Sequence, residues 1–143
     1  MERQDQGHRQ ITVNEIPRRF WGAIYNAAHF PGAPESRGLE GGANCQQFAY
    51  ELLRHFGLAI PDFRSSELWA DDVYTAVVSD LQPLDLLLFN DKSDPFGAHV
   101  AVYLGGERAI HLCQAIGRPA VWTLEEFRAT PRYAVFIGAK RCV

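Results

Sequence analysis

Between Asn44 and Gly57 the chain carries a helix signal with its own start and stop, and a cysteine stands at the first helical position. Asn44 suits an N-cap, because its short side-chain oxygen can accept from an otherwise unpaired amide of the first turn. Gln47, three residues on, completes the pattern of a capping box. Cys45, Phe48, Leu52 and Phe56 recur at i, i+3, i+7 and i+11, a single apolar stripe. Gly57 sits where a glycine just past a helix end belongs. The stripe, with Cys45 on it, must face inward against some other surface.

The second half of the chain supplies that surface as β-structure. Asp85-Leu86-Leu87-Leu88-Phe89 is a short continuous apolar run, as expected of a buried central strand. His99-Val100-Ala101-Val102-Tyr103-Leu104 is a β-branched run, and Arg108-Ala109-Ile110-His111-Leu112 follows it closely, so the two read as a hairpin. Tyr133-Ala134-Val135-Phe136-Ile137-Gly138 reads as a last strand, and Thr123-Leu124-Glu125-Glu126 as a capping box opening a short helix. The expected class is therefore α+β, a cysteine-bearing helix packed on an antiparallel sheet.

Upstream, Ile16, Phe20, Ile24 and Ala27 or Ala28 share one face at helical spacing and predict a helix over about Glu15 to Ala28. Phe30 to Gly42 is rich in Gly and Pro and reads as a long loop. A short helix is expected around Ser66–Tyr74. Residues 1–14 are expected to form a mobile tail and residues 15–143 a single catalytic domain. The 143 residues suit one domain, and 47% apolar with 22% charged content predicts a packed core.

Net charge is -3, so no basic excess is available to hold phosphates and nucleic acid is not an expected partner. No apolar run approaches the roughly 18 residues of a membrane span, and the polar start lacks the core of a secretory signal. The expectation is a cytoplasmic protein with no membrane partner, unless a specialised route exports it. Its oligomeric state is not legible. The three cysteines, Cys45, Cys113 and Cys142, cannot form a closed disulfide framework and include no C-x-x-C pair.

Cys45 is the thiol with chemical promise. A nucleophilic cysteine must reach the thiolate form, and a helix N-terminus with a neighbouring imidazolium can lower its pKa from about 8.5 to roughly 3.5–7.5. His99 and His111 are the candidate partners. They share one face of the hairpin if the connection contributes an odd number of residues, or a bulge with the same effect. A three-residue Gly105-Gly106-Glu107 loop would pair Leu104 with Arg108 and Ala101 with His111, placing His99 on the same face as His111. A thiol, a base and a group holding the base's other nitrogen form a generalised triad. The competing readings are core filler for the cysteine, ordinary strand positions for each histidine, and a zinc site, which the lack of short ligand spacing disfavours.

These residues, in this order, resemble the NlpC-like family of papain-fold cysteine peptidases, which cut bacterial cell-wall peptides. Family members read Asp-Cys-Ser-Gly-Phe where this chain has Asn44-Cys45-Gln46-Gln47-Phe48. A Pro-Arg-x-Ser stretch is resembled by Asp62-Phe63-Arg64-Ser65-Ser66, and Pro-Gly-Asp-Leu by Pro83-Leu84-Asp85-Leu86. Ser-His-Val-Gly-Ile-Tyr-Leu-Gly is resembled by Ala98 to Gly105, Ile-His-Ala by Ile110-His111-Leu112, and the closing Val-Gly-Ala-Arg-Arg by Ile137 to Arg141. The resemblance implies a papain-like core and catalytic roles for Cys45, His99 and His111. It also implies substrate-binding roles for Asn44, Gln46, Arg64 and Ser65. Tyr25 and Phe30 are the candidates for a tyrosine that the family carries upstream of its nucleophile.

The implied function is hydrolysis of an amide bond, in a cell-wall-derived or similar small peptide, with no cofactor and no metal. An acyltransferase or amidase on the same fold is the alternative, as is a catalytically inactive binding module. Asn44, Gln46-Gln47 and Leu84 depart from the family pattern, so the machinery carries over better than the substrate pocket.

Overall fold

The computed structural model describes residues 9–143. The first eight residues of the expected tail lie outside them. Ile11, within the same segment, is buried, and its amide donates to the Leu104 carbonyl at 2.8 Å.

Six strands form one antiparallel sheet: β1 Thr75–Val78, β2 Leu86–Asn90, β3 His99–Gly105, β4 Arg108–Leu112, β5 Pro119–Thr123 and β6 Val135–Cys142. Their order across the sheet is β1-β6-β2-β3-β4-β5. The apolar run of β2 is central and buried, as its sequence predicts. The helices are α1 Arg18–Trp21, α2 Cys45–His55, α3 Ser65–Ala70 and α4 Leu124–Ala129, with 3₁₀ turns at Val13–Glu15 and Pro131–Tyr133. The architecture is α+β, as expected. None of these helices is long and apolar enough to cross a membrane.

Side-chain alternation gives the sheet a core on each face. On one, Leu86, Leu88, Val100, Val102, Leu104, Ile110 and Leu112 pack with Phe48, Leu52 and Leu53 of α2. On the other, Leu87, Phe89, Ala101, Tyr103, Ala109 and Cys113 pack with Phe127 and Tyr133.

The helix expected over Glu15 to Ala28 does not form as one piece. Pro17 offers no amide to continue the first turn, and Gly22 ends α1 after four residues. Ile16 and Phe20 are still buried, but Ile24 is 54% exposed because the chain beyond Gly22 runs extended. The helix expected over Ser66–Tyr74 stops at Ala70, because the Asp71 carboxylate accepts the amides of Val73, Tyr74 and Thr75 and turns the chain into β1. Leu84, where the family pattern has glycine, has φ of 79°, a conformation costing roughly 1–2 kcal/mol for an L-residue. Its side chain is partly buried against the first core.

The β3–β4 connection decides the placement of the histidines. Val102 pairs with Ile110 and Tyr103 with Ala109, then the register shifts and Gly105 pairs with Arg108. The turn is thus two residues, Gly106 and Glu107, and a bulge at Leu104 restores the register that a three-residue loop would have given. Both turn residues have positive φ, 61° and 64°, the geometry of a type I′ turn. Glu107 is exposed, so its side chain gains nothing that offsets this strain. Glu107→Asn is accordingly expected to stabilise the domain by about 0.5–1 kcal/mol, since asparagine tolerates this conformation better. Chemical denaturation would check this, and an unchanged or lower midpoint would contradict it.

Candidate active site

Cys45 is the first residue of α2, held there by its neighbours. The Asn44 side chain accepts from the Gln47 amide at 2.8 Å, as the N-cap pattern predicts. The reciprocal half of the capping box is absent. Gln47 Nε2 instead donates to the Gly38 carbonyl at 3.0 Å, and the Asn44 amide donates to the His29 carbonyl at 2.9 Å. Immediately upstream, Ala43 pairs with Tyr25 in a parallel bridge. Gly42 makes this approach possible, because a Cβ there would meet the Ile24 carbonyl oxygen at 2.7 Å. The glycines before the cysteine therefore admit the protein's own backbone, and the result is Tyr25 placed beside the thiol.

His99 opens β3 and His111 lies in β4. His99 Nε2 and His111 Nδ1 are 2.8 Å apart, within the 2.6–3.2 Å expected of a base and its orienting partner. Cys45 and His99 line one cavity of about 250 Å³, together with Tyr25, Asn90, Asp91, Gln114, Arg132 and Tyr133. A second cavity of about 410 Å³ also borders Cys45 and is lined by Tyr25, Asn44, Gln46, Arg64, Ser65, Glu67 and Phe96. Tyr25, Cys45, Gly97 and Ala98 border both cavities.

The remaining candidates divide. Arg64 and Ser65 line the second cavity. Ser65 is also structural, since its hydroxyl oxygen accepts from the amide of Ala98, the residue before His99, at 3.2 Å. Gln46 is buried and its Oε1 has no hydrogen-bond partner among the described residues. Phe30 lines neither cavity. It lies 4.3 Å beneath the Arg64 guanidinium, so it supports the wall instead of forming it. Asn90, Asp91, Gln114, Arg132 and Tyr133 are neighbours of the pair that the sequence reading does not single out. Tyr133 stacks on His99 at 4.4 Å from the 3₁₀ turn Pro131–Tyr133.

The electrostatics depart from expectation. The amides of Val100, Gln46 and Cys45 itself face the thiol and favour thiolate, but burial outweighs them and pushes the Cys45 thiol up to about 11. Burial, then the like charges of His111 and Arg132, hold His99 well below the usual histidine range. Burial also lowers His111 to about 3. All three shifts favour the uncharged forms, a thiol and two neutral imidazoles. Desolvation at this half-buried thiol thus works against the helix terminus. Among the described residues, no three His, Cys, Asp or Glu side chains gather as a metal site would require.

No family model matches the sequence, and no curated protein does. Solved structures do match. A NlpC/P60 family protein from Bacillus cereus shares 25% identity and superposes over 70% of this chain and 32% of its own, with a TM-score of 0.54. The NlpC/p60 domain of the peptidoglycan hydrolase SagA shares 20%, covering 87% and 91%, with a TM-score of 0.56. A protein from Staphylococcus aureus described as similar to a lipoprotein of the NLP/P60 family shares 19%, covering 97% and 45%, with a TM-score of 0.59. The chain thus spans about a third of the first of these and under half of the third. In its fold, this chain is similar to the NlpC/P60 proteins among these solved structures.

Proposed function

We propose that the protein is a cysteine-nucleophile hydrolase of a peptide amide bond, and that its substrate is a small peptide of the kind found in bacterial cell walls. The observation that carries this reading is the 2.8 Å contact between His99 Nε2 and His111 Nδ1, beside a cavity that His99 shares with Cys45. One NlpC/P60 neighbour is a peptidoglycan hydrolase domain, which motivates the substrate class.

In this reading Cys45 Sγ attacks the amide carbonyl while its proton passes to His99 Nδ1. Because the resting pair is neutral, transfer accompanies attack, and no preformed ion pair is needed. The Cys45 amide at the start of α2 faces the developing oxyanion. The C–N bond then breaks as His99 returns the proton to the leaving amine. Water hydrolyses the thioester, with His99 again taking the proton. Arg132, exposed on the rim of the cavity with His99, would favour a carboxylate on one end of the substrate.

The test is intact-protein mass spectrometry after mixing with wall-derived tri- and tetrapeptides and with peptidyl thioesters. A single acyl adduct, mapped to Cys45 and lost with time, is expected. Adducts only on Cys113 or Cys142, or turnover that survives alkylation of Cys45, would overturn the reading.

The thiol's pKa adds a sign. A raised pKa means that the thiolate fraction grows with pH, so iodoacetamide labelling of Cys45 should climb about tenfold per pH unit from pH 6 to pH 9. A rate already level at pH 5–6 would reveal a preformed thiolate and contradict the neutral resting site.

A further inference from the structure

His111 has one nitrogen accounted for and one not. Nδ1 faces His99 Nε2 at 2.8 Å, while Nε2 is buried with no hydrogen-bond partner among the described residues. Apart from His99, the rings bordering His111 are aromatic. Trp122 lies 4.3 Å away at an interplanar angle of 66°, Phe127 lies at 4.6 Å and 58°, and Tyr133 at 6.1 Å and 88°. These three also contact one another, with centroids at 5.1, 6.1 and 6.1 Å, so they close a cage. Each comes from a different element: Trp122 from β5, Phe127 from α4 and Tyr133 from the 3₁₀ turn after it.

We infer that Trp122, Phe127 and Tyr133 are positioning residues that hold His111 as its Nε2–H tautomer, and so fix His99 as a base at Nδ1. A neutral imidazole carries one proton on one of two nitrogens. Aromatic faces bear the negative part of the ring quadrupole. Where rings inclined at 58–88° to the imidazole turn π density toward Nε2, a lone pair there is repelled, whereas an N–H makes a weak but favourable contact. Nδ1 of His111 is then left with the lone pair and must accept, so His99 Nε2 carries the proton that is donated. His99 has no second proton when neutral, and its Nδ1 is bare. In the opposite arrangement His111 Nδ1–H donates, His99 is protonated on Nδ1, and the nitrogen needed to receive the Cys45 proton is occupied. A triad histidine held in the wrong tautomer loses about 10⁴ in kcat. The burial that keeps His111 neutral also keeps the choice between tautomers meaningful.

The catalytic consequence rests on the hydrolase reading above, but the tautomer does not, and the experiment separates them. Long-range ¹H–¹⁵N spectra of the full chain, labelled at histidine, are recorded at pH 7. His111 is expected to show a pyrrole-like Nε2 and a pyridine-like Nδ1, and His99 a pyridine-like Nδ1. A pyridine-like Nε2 on His111 overturns the inference. Trp122→Leu, at a half-buried position, is expected to give mixed His111 tautomers and to lower kcat by about 10–100-fold with KM unchanged, while Trp122→Phe restores both. A folded Trp122→Leu variant with the native tautomer and native kcat also overturns it. The native tautomer in a protein whose Cys45 forms no acyl adduct would support the inference and sink the hydrolase reading alone.

Discussion

Cys45→Ala is expected to lower kcat for amide hydrolysis by about 10⁴-fold or more while the domain stays folded. The size follows from what is removed. Without a thiol no thioester forms, and the cavity walls, Tyr25 and the amides of α2 can only bind and polarise the substrate. His99→Ala should cost nearly as much, because the resting thiol is neutral and has no other acceptor for its proton. The double variant should be no worse than either alone by more than a few-fold, since the two residues act as one unit. Stability should hardly change. Cys45 is half-buried at the first turn of α2, and alanine is a good helix former there, so the effect should stay within about 0.5 kcal/mol. Steady-state kinetics on a substrate that the native protein turns over, with circular dichroism as the control for folding, would decide. Turnover in Cys45→Ala within tenfold of native would remove the nucleophile from the mechanism.

The parts of this molecule that were legible in sequence are those where one local rule dominates. The cap, stripe and stop of α2 all agree, and the helix runs Cys45–His55 between Asn44 and Gly57. The four leucine and phenylalanine residues of β2 could only be a buried strand. The shared face of the two histidines was legible only as a condition on the parity of the connection, and the loop met that condition by a bulge at Leu104 and not by its length. What was not legible depends on partners distant in sequence. Ile16, Phe20 and Ile24 are spaced for a helix, yet Tyr25 is drawn into a bridge with Ala43, and that pairing defeats the local pattern. The short edge strands β1 and β5 carry weak signals. β5 begins with Pro119, tolerated because it opens an edge strand, and Trp122 on it becomes a neighbour of His111 only through the register His111–Ala120. The environment of the Cys45 thiol is a related case. A helix start is visible in sequence, but the burial that outweighs it is not.

Asp85 marks the other place where the family-like motif had a physical meaning that the sequence did not reveal. It stands in Pro83-Leu84-Asp85-Leu86, just before β2, and is 1% exposed. Its carboxylate accepts from the Gln82 amide at 2.7 Å and from Arg141 Nε and Nη2 at 2.8 and 2.9 Å. Arg141 belongs to β6, so one bidentate pair clamps the entry of β2 to the neighbouring strand's end. Breaking a buried pair by removing one partner costs up to about 3–5 kcal/mol, and here only the carboxylate is fully buried. The two possible removals are not equivalent. Asp85→Ala leaves a guanidinium that is 28% exposed and still donates to the Asp80 carbonyl, so water can repair much of the loss. Arg141→Met leaves a carboxylate with a single remaining donor and almost no access to solvent. The expected costs are therefore about 2–3 kcal/mol for Asp85→Ala and about 3–5 kcal/mol for Arg141→Met, a fall in Tm of roughly 6–15 °C across the two. The double variant Asp85→Ala/Arg141→Met should be more stable than Arg141→Met alone, because it removes the stranded charge. Calorimetry on the three proteins would check the order. If Arg141→Met proved the milder single change, or the double variant the least stable of the three, the clamp would not be the reason that this carboxylate is buried.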